Sequence, residues 1–143
     1  MQVEQISVFM ENKPGRLETV TRILKDANIN IRTLSMADTS DFGIVRLIVD
    51  HVDEAARVLK EHGYTFSRTS VVAVEVPDRA GGLHDILDVL NKAHINIEYM
   101  YAFVEKSGRN AVMLFRFDKP EEAIDALHRH NATVLPGEAL YSL

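Results

Sequence analysis

The chain has no cysteine. That absence removes disulfides, thiolate metal sites and cysteine nucleophiles together, and it fits a reducing cytoplasm. No basic segment followed by an apolar one stands at the start, which reads Met1-Gln2-Val3-Glu4-Gln5, so no signal peptide is expected. Long apolar runs are missing as well. The longest, such as Ala111 to Phe115, fall far short of the roughly 20 residues that a membrane helix needs. Basic charge is not in excess either: the formal charge of −5 argues against nucleic acid, whose binders favour basic patches. With 46% apolar residues the chain can offset its conformational entropy, so disorder is not expected. A cytoplasmic, soluble domain with no membrane and no nucleic-acid partner is the expectation.

Catalytic and metal signatures are also missing. There is no Gly-x-Ser-x-Gly, no His-Glu-x-x-His and no phosphate-loop lysine motif. Of the six histidines, His128 and His130 lie two apart on a helical segment and point to different faces. His62, His84 and His94 stand on separate segments. Carboxylates are plentiful, but Asp53, Glu54, Glu121 and Glu122 fall where first helical turns favour negative charge. No catalytic residue, metal or cofactor is expected, and the protein is not read as an enzyme.

What is present is a duplication. Shifted by 66 residues, Val8, Gly15, Leu17, Leu24, Ala27, Ile29, Asn30 and Ile31 fall on Val74, Gly81, Leu83, Leu90, Ala93, Ile95, Asn96 and Ile97. Further on the shift is 68, with Asp50, Glu54, Ala55, Leu59 and His62 on Asp118, Glu122, Ala123, Leu127 and His130. The two-residue slip falls between polar loops, Asp38 to Asp41 in one half and Glu105 to Asn110 in the other, where insertions are tolerated. Two domains are expected, 1–69 and 70–143.

Each half follows one scheme. Alternating apolar residues predict a strand over Val3 to Met10, and helical spacing predicts a helix over Gly15 to Ala27. Strands rich in β-branched residues follow at Ile29 to Met36 and Gly43 to Val49. A helix over Val52 to His62 ends at Gly63, and a short strand lies near Thr65 to Ser67. The second half repeats the order: Val71 to Val76, a helix over Gly81 to Ala93, strands at Ile95 to Phe103 and Ala111 to Phe117, and a helix over Pro120 to His130 stopped by Asn131. The tail from Thr133 is expected to hold a last short strand.

Strand, helix, strand, strand, helix, strand predicts an α+β, ferredoxin-like sheet with both helices on one face. A half of this size buries only about 60% of its unfolded surface, so the two halves are expected to pack together. By simple alternation Phe9, Leu34, Met36, Ile44 and Ile48 would share the helix-free face of the first half. An open apolar face of this kind is a contact surface, within the chain or in a homodimer.

The turn from first strand to first helix reads Glu11-Asn12-Lys13-Pro14-Gly15-Arg16-Leu17 in one half. In the other it reads Pro77-Asp78-Arg79-Ala80-Gly81-Gly82-Leu83. A glycine opening a helix leaves N–H groups at its positive end unobstructed, which suits a carboxylate. Asn12 or Asp78 just upstream could meet an ammonium; the plainer alternative is that these residues cap the helix. Asn30 and Asn96 each stand between isoleucines at the mouth of the second strand, fitting either a ligand or a turn. Tyr99 and Tyr101, two apart, share one face and could wall a ligand or pack in an interface.

The run Asn-Lys-Pro-Gly-Arg-Leu, followed about a dozen residues later by Ile-Asn-Ile, resembles the ACT domain family, and the resemblance spans both halves. The whole chain is thus similar to stand-alone tandem ACT proteins. The resemblance implies a regulatory protein that binds a small molecule, in most members an amino acid, and acts as a metabolic sensor. It also implies sites in which the glycine turn of one domain faces the second strand of a neighbour. Carried over, Asn12, Gly15, Arg16 and Leu17 would face Asn96, Tyr99 and Tyr101, and Asp78, Gly81, Gly82 and Leu83 would face Asn30. A homodimer and a partner metabolic enzyme fit the same resemblance. Two departures matter. Met10 stands where some serine-sensing members have histidine, and the second half has Asp78 and Ala80 in place of Asn12 and Pro14, so the two sites need not be equivalent. The rival reading is a ligand-free interaction subunit that regulates a separate enzyme.

Overall fold

In the first half the period-2 apolar pattern forms β1 (Val3–Glu11), whose Ile6, Val8 and Met10 are buried in a common core. In the computed structural model of the protein, residues 2–38 and 42–143 are described. The turn expected at Asp38 to Asp41 lies outside the described residues at 39–41. Helix α1 (Arg16–Asp26) buries Val20, Ile23 and Leu24, at the 3–4-residue spacing of one helical face. Strands β2 (Ile31–Asp38) and β3 (Phe42–Val49) follow, then α2 (Val52–Glu61), which buries Ala55, Val58 and Leu59. The chain continues through β4 (Thr65–Pro77), α3 (Gly82–Lys92), β5 (Ile97–Ala102), β6 (Asn110–Phe117), α4 (Pro120–Arg129) and β7 (Val134–Leu135). Beyond the short strand expected in the tail there is a last short helix, α5 (Gly137–Tyr141), whose Leu140 is fully buried.

The chain divides into two compact units. One is Glu4–Thr69; the other joins the N-terminal residues up to Val3 to Ser70–Leu143. The boundary falls inside β4, so the two short strands expected near Thr65 to Ser67 and Val71 to Val76 are one continuous strand of 13 residues. In the first unit the strand order is β2-β3-β1-β4, and in the second β7-β4-β6-β5. Each is the antiparallel βαββαβ order with its own core: Ile6, Leu24, Leu47 and Leu59 sit at the centre of one, Leu90, Phe115, Phe117 and Leu127 at the centre of the other. Arg68 ties β4 to the first unit through Glu4 on β1, at 2.6 and 2.7 Å, and Asp53 at the start of α2, at 2.7 Å. Those two carboxylates hold its guanidinium pKa above the ordinary arginine value.

The helix stops repeat as the sequence pattern implies. Gly63 and Asn131 are left-handed at φ 78 and φ 60 after the second helix of each unit. After the first helix the same role falls to Asn28 and His94, at φ 58 and φ 57. That placement gives His94 a backbone task.

The face assignment of β2 is corrected by its register. Ile31 pairs with Val49, but Thr33 pairs with Ile48, so Arg32 is an extra residue in a β-bulge. A bulge shifts the alternation by one. Leu34 and Met36 consequently pair with Leu47 and Val45 and lie on the helix-side face, not on the open face with Phe9, Ile44 and Ile48. They remain 43% and 44% exposed because β2 is the outer strand. The helix-free face of this unit is mixed: Phe9 and Ile44 share it with Ser7, Thr33, Ser35 and Arg46. The bulge recurs one repeat later, at Glu98, between the Ile97–Phe117 and Tyr99–Arg116 pairs.

Among the described residues no helix is long and apolar enough to cross a membrane. Leu59 and Leu127 are matched, fully buried positions of the two repeats. Replacing either with alanine is expected to cost about 2–5 kcal/mol in urea denaturation, the range for deleting a core leucine. A cost below about 1 kcal/mol at either position would mean that its core is not close-packed.

Candidate functional site

Both strand-to-helix turns rest on a left-handed glycine. Gly15 at φ 84 and Gly81 at φ 83 are the N-caps of α1 and α3. That region costs a residue with a Cβ roughly 1–2 kcal/mol, which explains why glycine recurs. Having no side chain, neither cap can accept a bond from the first-turn N–H groups, and the turns are closed by backbone bonds instead. Arg16 N donates to Lys13 O at 3.3 Å and Thr19 N to Gly15 O at 3.0 Å. In the second unit Gly82 N donates to Arg79 O and Asp85 N to Gly81 O, at 3.0 and 2.9 Å. The N-cap is therefore not Asn12 or Asp78, three residues earlier.

The two turns differ one position on. Gly82 is buried, and a Cβ there would stand 1.9 Å from the carbonyl oxygen of Pro77. The first unit carries Arg16 at the matching place, exposed, so its turn leaves room for a long cation. Beside it Glu11 pairs with Lys13 at 2.7 Å. The Lys13 hydrogen bond and charge, and then the Arg16 charge, hold the Glu11 carboxyl below the usual carboxylate range. Leu17 packs against the first core, whereas Leu83 is 37% exposed.

In the second unit the turn is held by the chain's own loop. Lys106, in the β5–β6 connection, forms an ion pair with Asp78. Ser107 Oγ and Asn110 Nδ2 both donate to the Glu75 carboxylate near the end of β4, the latter at 3.0 Å. This is the loop that is two residues longer than its counterpart in the first half. Lys106 and Glu75 are candidate-site residues that sequence reasoning misses, because contacts 28 to 35 residues apart leave no local pattern.

Asn30 and Asn96 are exposed and stand one residue before β2 and β5. Their backbones are clamped by the repeated aspartates: Asn30 N donates to Asp50 Oδ1 and Asn96 N to Asp118 Oδ1, both at 3.0 Å. Return bonds run from Asp50 N to Asn30 O and from Asp118 N to Asn96 O. That explains why Asp50 and Asp118 recur, and it leaves the asparagine amides facing outward. Within one unit the glycine turn and the asparagine are separated by an 11-residue helix, about 16 Å of axial rise. Asn12, Gly15, Arg16 and Leu17 thus lie at one end of their unit and Asn30 at the other. Asp78, Gly81, Gly82 and Leu83 are divided from Asn96 in the same way. Tyr99 and Tyr101, half-buried, pair with Arg116 and Leu114 and share the helix-free face of β5.

Each unit also has a cleft beside its glycine turn, between the end of the first strand and the turn after the second helix. In the first unit it measures about 490 Å³ and is lined by Phe9, Met10, Glu11, Arg16, Phe42 and Tyr64, among others. In the second it is about 240 Å³, with Glu75, Arg79, Asp85, Asn110 and Thr133 in its walls.

The duplicated βαββαβ units with paired glycine turns define the class. The chain belongs to the ACT domain pair family, whose model matches residues 1–143. ACT domain proteins are regulatory. The crystal structure of protein BT0572 from Bacteroides thetaiotaomicron is similar at 36% identity and TM-score 0.93, covering 100% of this chain and 98% of that one. The ligand-free regulatory subunit of aspartate kinase from Thermus thermophilus has TM-score 0.62 at 18% identity, covering 88% of this chain and 91% of that one. At that identity the likeness shows the fold alone. A stretch of 95 residues is 26% identical to an NADH-quinone oxidoreductase chain of Burkholderia cenocepacia; it covers 62% of this chain and 23% of that protein. The chain thus spans less than a quarter of the curated relatives it matches, and their activity is not carried over.

The turn geometry predicts an order of sensitivity. Gly15→Ala, with nothing within 4 Å of the new Cβ, should cost about 1–2 kcal/mol from its backbone angle alone. Gly82→Ala should cost more, because the Pro77 carbonyl must move. Urea denaturation of both variants checks this; a Gly82→Ala protein as stable as wild type would contradict the close approach.

Proposed function

We propose that the protein is an amino-acid-binding regulatory module, a metabolic sensor that works through a partner enzyme and has no catalytic site of its own. The observation that carries this reading is the left-handed glycine N-cap, present in both halves of an ACT domain pair. A ligand carboxylate would sit on the backbone N–H groups of such a turn and the ammonium on nearby oxygens. The residues proposed are Asn12, Gly15, Arg16 and Leu17 against Asn96, Tyr99 and Tyr101 of a neighbouring ACT domain, and Asp78, Gly81, Gly82 and Leu83 against Asn30. The separation of turn and asparagine within each unit supports a site shared between domains, and a homodimer is the assembly that fits it. The second turn differs in kind, since the Lys106 ammonium already neutralises Asp78.

That ion pair favours a second reading at one site: the Asp78 turn is closed by its own chain and serves structure or partner contact. Thermal melting with each of the twenty amino acids separates the two. A ligand at a hundred times its Kd adds about 2.7 kcal/mol of stability, a rise of several degrees in a protein of this size. At least one amino acid is expected to raise the melting temperature, and Gly15→Val to abolish the rise. If none does, the interaction-subunit reading replaces the sensor. Light scattering at micromolar concentration is expected to give a dimer; a monomer would remove the shared-site geometry between copies.

A further inference from the structure

We infer that the cleft of the first unit selects a carboxylate ligand with a bulky apolar body, an aromatic or branched-chain amino acid, and that the second unit's cleft does not bind it. This deepens the sensor reading and rests on it for the amino-acid class; the shape and charge of the cleft carry the rest.

The cleft's volume of about 490 Å³ lies within the roughly 300–1,000 Å³ of small-molecule sites. Its walls include four large apolar or aromatic side chains, Phe9, Met10, Phe42 and Tyr64. Phe9 and Phe42 are 40% and 61% exposed, and Met10 and Tyr64 belong to or pack on the core beneath. Two large aromatic side chains held partly in water beside one cavity form a surface that a ligand's apolar body can cover. Arg16 stands at the same cleft. Among the described residues its guanidinium is in no ion pair or side-chain hydrogen bond. Glu11, its near anion, is already bonded to Lys13. A guanidinium so placed is a fork for a carboxylate. An amino acid lying with its carboxylate on the first-turn N–H groups of α1 and the Arg16 guanidinium, and its side chain between Phe9 and Phe42, would also bring its ammonium within reach of Glu11.

The second cleft lacks the aromatic side chains and the unpaired arginine at the matching positions. Phe9 is replaced by Glu75, Arg16 by Gly82 and Tyr64 by Ala132. Its volume is about half, at 240 Å³. The arginine in its wall, Arg79, is already paired with Asp85 at 3.1 Å, a carboxylate would also meet Glu75, and an apolar side chain would find no aromatic wall. The repeat has kept the scaffold and changed what the cleft can hold.

Titration calorimetry of the full chain with L-phenylalanine, L-leucine, L-alanine and 3-phenylpropionate tests this. The expected result is one site per chain, with phenylalanine or leucine at least about tenfold tighter than alanine. A charge-assisted bond is worth about tenfold or more, so Arg16→Gln should weaken the tighter amino acid by that factor. Phe42→Ala should weaken it as well, with circular dichroism showing that the variant keeps the wild-type fold. Equal binding of alanine and phenylalanine, two sites per chain, or variants that titrate like wild type would overturn the cleft while leaving the sensor reading in place. Binding of 3-phenylpropionate without binding of either large amino acid would support the cleft's carboxylate and apolar chemistry and remove the amino acid. Silence with all four probes overturns the inference.

Discussion

A glycine held at φ 84 in one unit and φ 83 in the other turns the end of a strand into the start of a helix within a few residues. That backbone state is open to glycine at little cost and closed to most other residues. Because the turn is so short, the helix starts directly above the strand it follows and lays its apolar face on the sheet. Val20, Ile23 and Leu24 then meet Ile6, Val8 and Met10 in the first unit, and Ile86 and Leu90 meet Val72, Val74 and Val76 in the second. The same conformation gives each helix a cap without a side chain. Packing and site chemistry therefore depend on one torsion angle, which accounts for glycine at both positions while their neighbours have changed.

Around this constant the two repeats have diverged in charge and shape. Asn12 is matched by Asp78 across the duplication, Arg16 by Gly82 and Phe9 by Glu75. In the second unit the added carboxylates are answered from within: Lys106 bonds Asp78, and Ser107 and Asn110 bond Glu75. The loop supplying these groups is longer than its counterpart by two residues in the repeat alignment. Glu75, which is half-buried, thereby keeps the hydrogen-bond partners that a carboxylate withdrawn from water needs. In the first unit the cation and the aromatic side chains stay beside open space. Duplication followed by this kind of change gives one chain two unlike clefts from one scaffold.

Most of the fold was legible in the sequence because the fold is periodic. Strand alternation, helical spacing and helix stops at Gly63 and Asn131 are local patterns, and the duplication allowed each half to check the other. The turn glycines and the asparagine mouths were legible for the same reason. Three features were not. The bulge at Arg32 inserts one residue and reverses the faces of Leu34 and Met36, and nothing in the alternation of Ile, Thr, Ser and Leu marks where it falls. Helix α5 has only five residues, too few for a period to show. The cleft draws Phe9, Phe42 and Tyr64 from three segments, and no local pattern links them. The recurrence of Asp50 and Asp118 was visible, but its purpose, clamping the backbone of the asparagine opposite, needed the register.

The central claim is that the glycine turns receive an amino-acid ligand. Amide chemical shifts of the isotopically labelled protein test it most directly, because glycine amides are few and resolved. Titration with the amino acid that stabilises the protein most should move the Gly15 resonance and those of the first turn of α1. Shifts confined to residues remote from both turns, with Gly15 and Gly81 unmoved at saturation, would contradict the account.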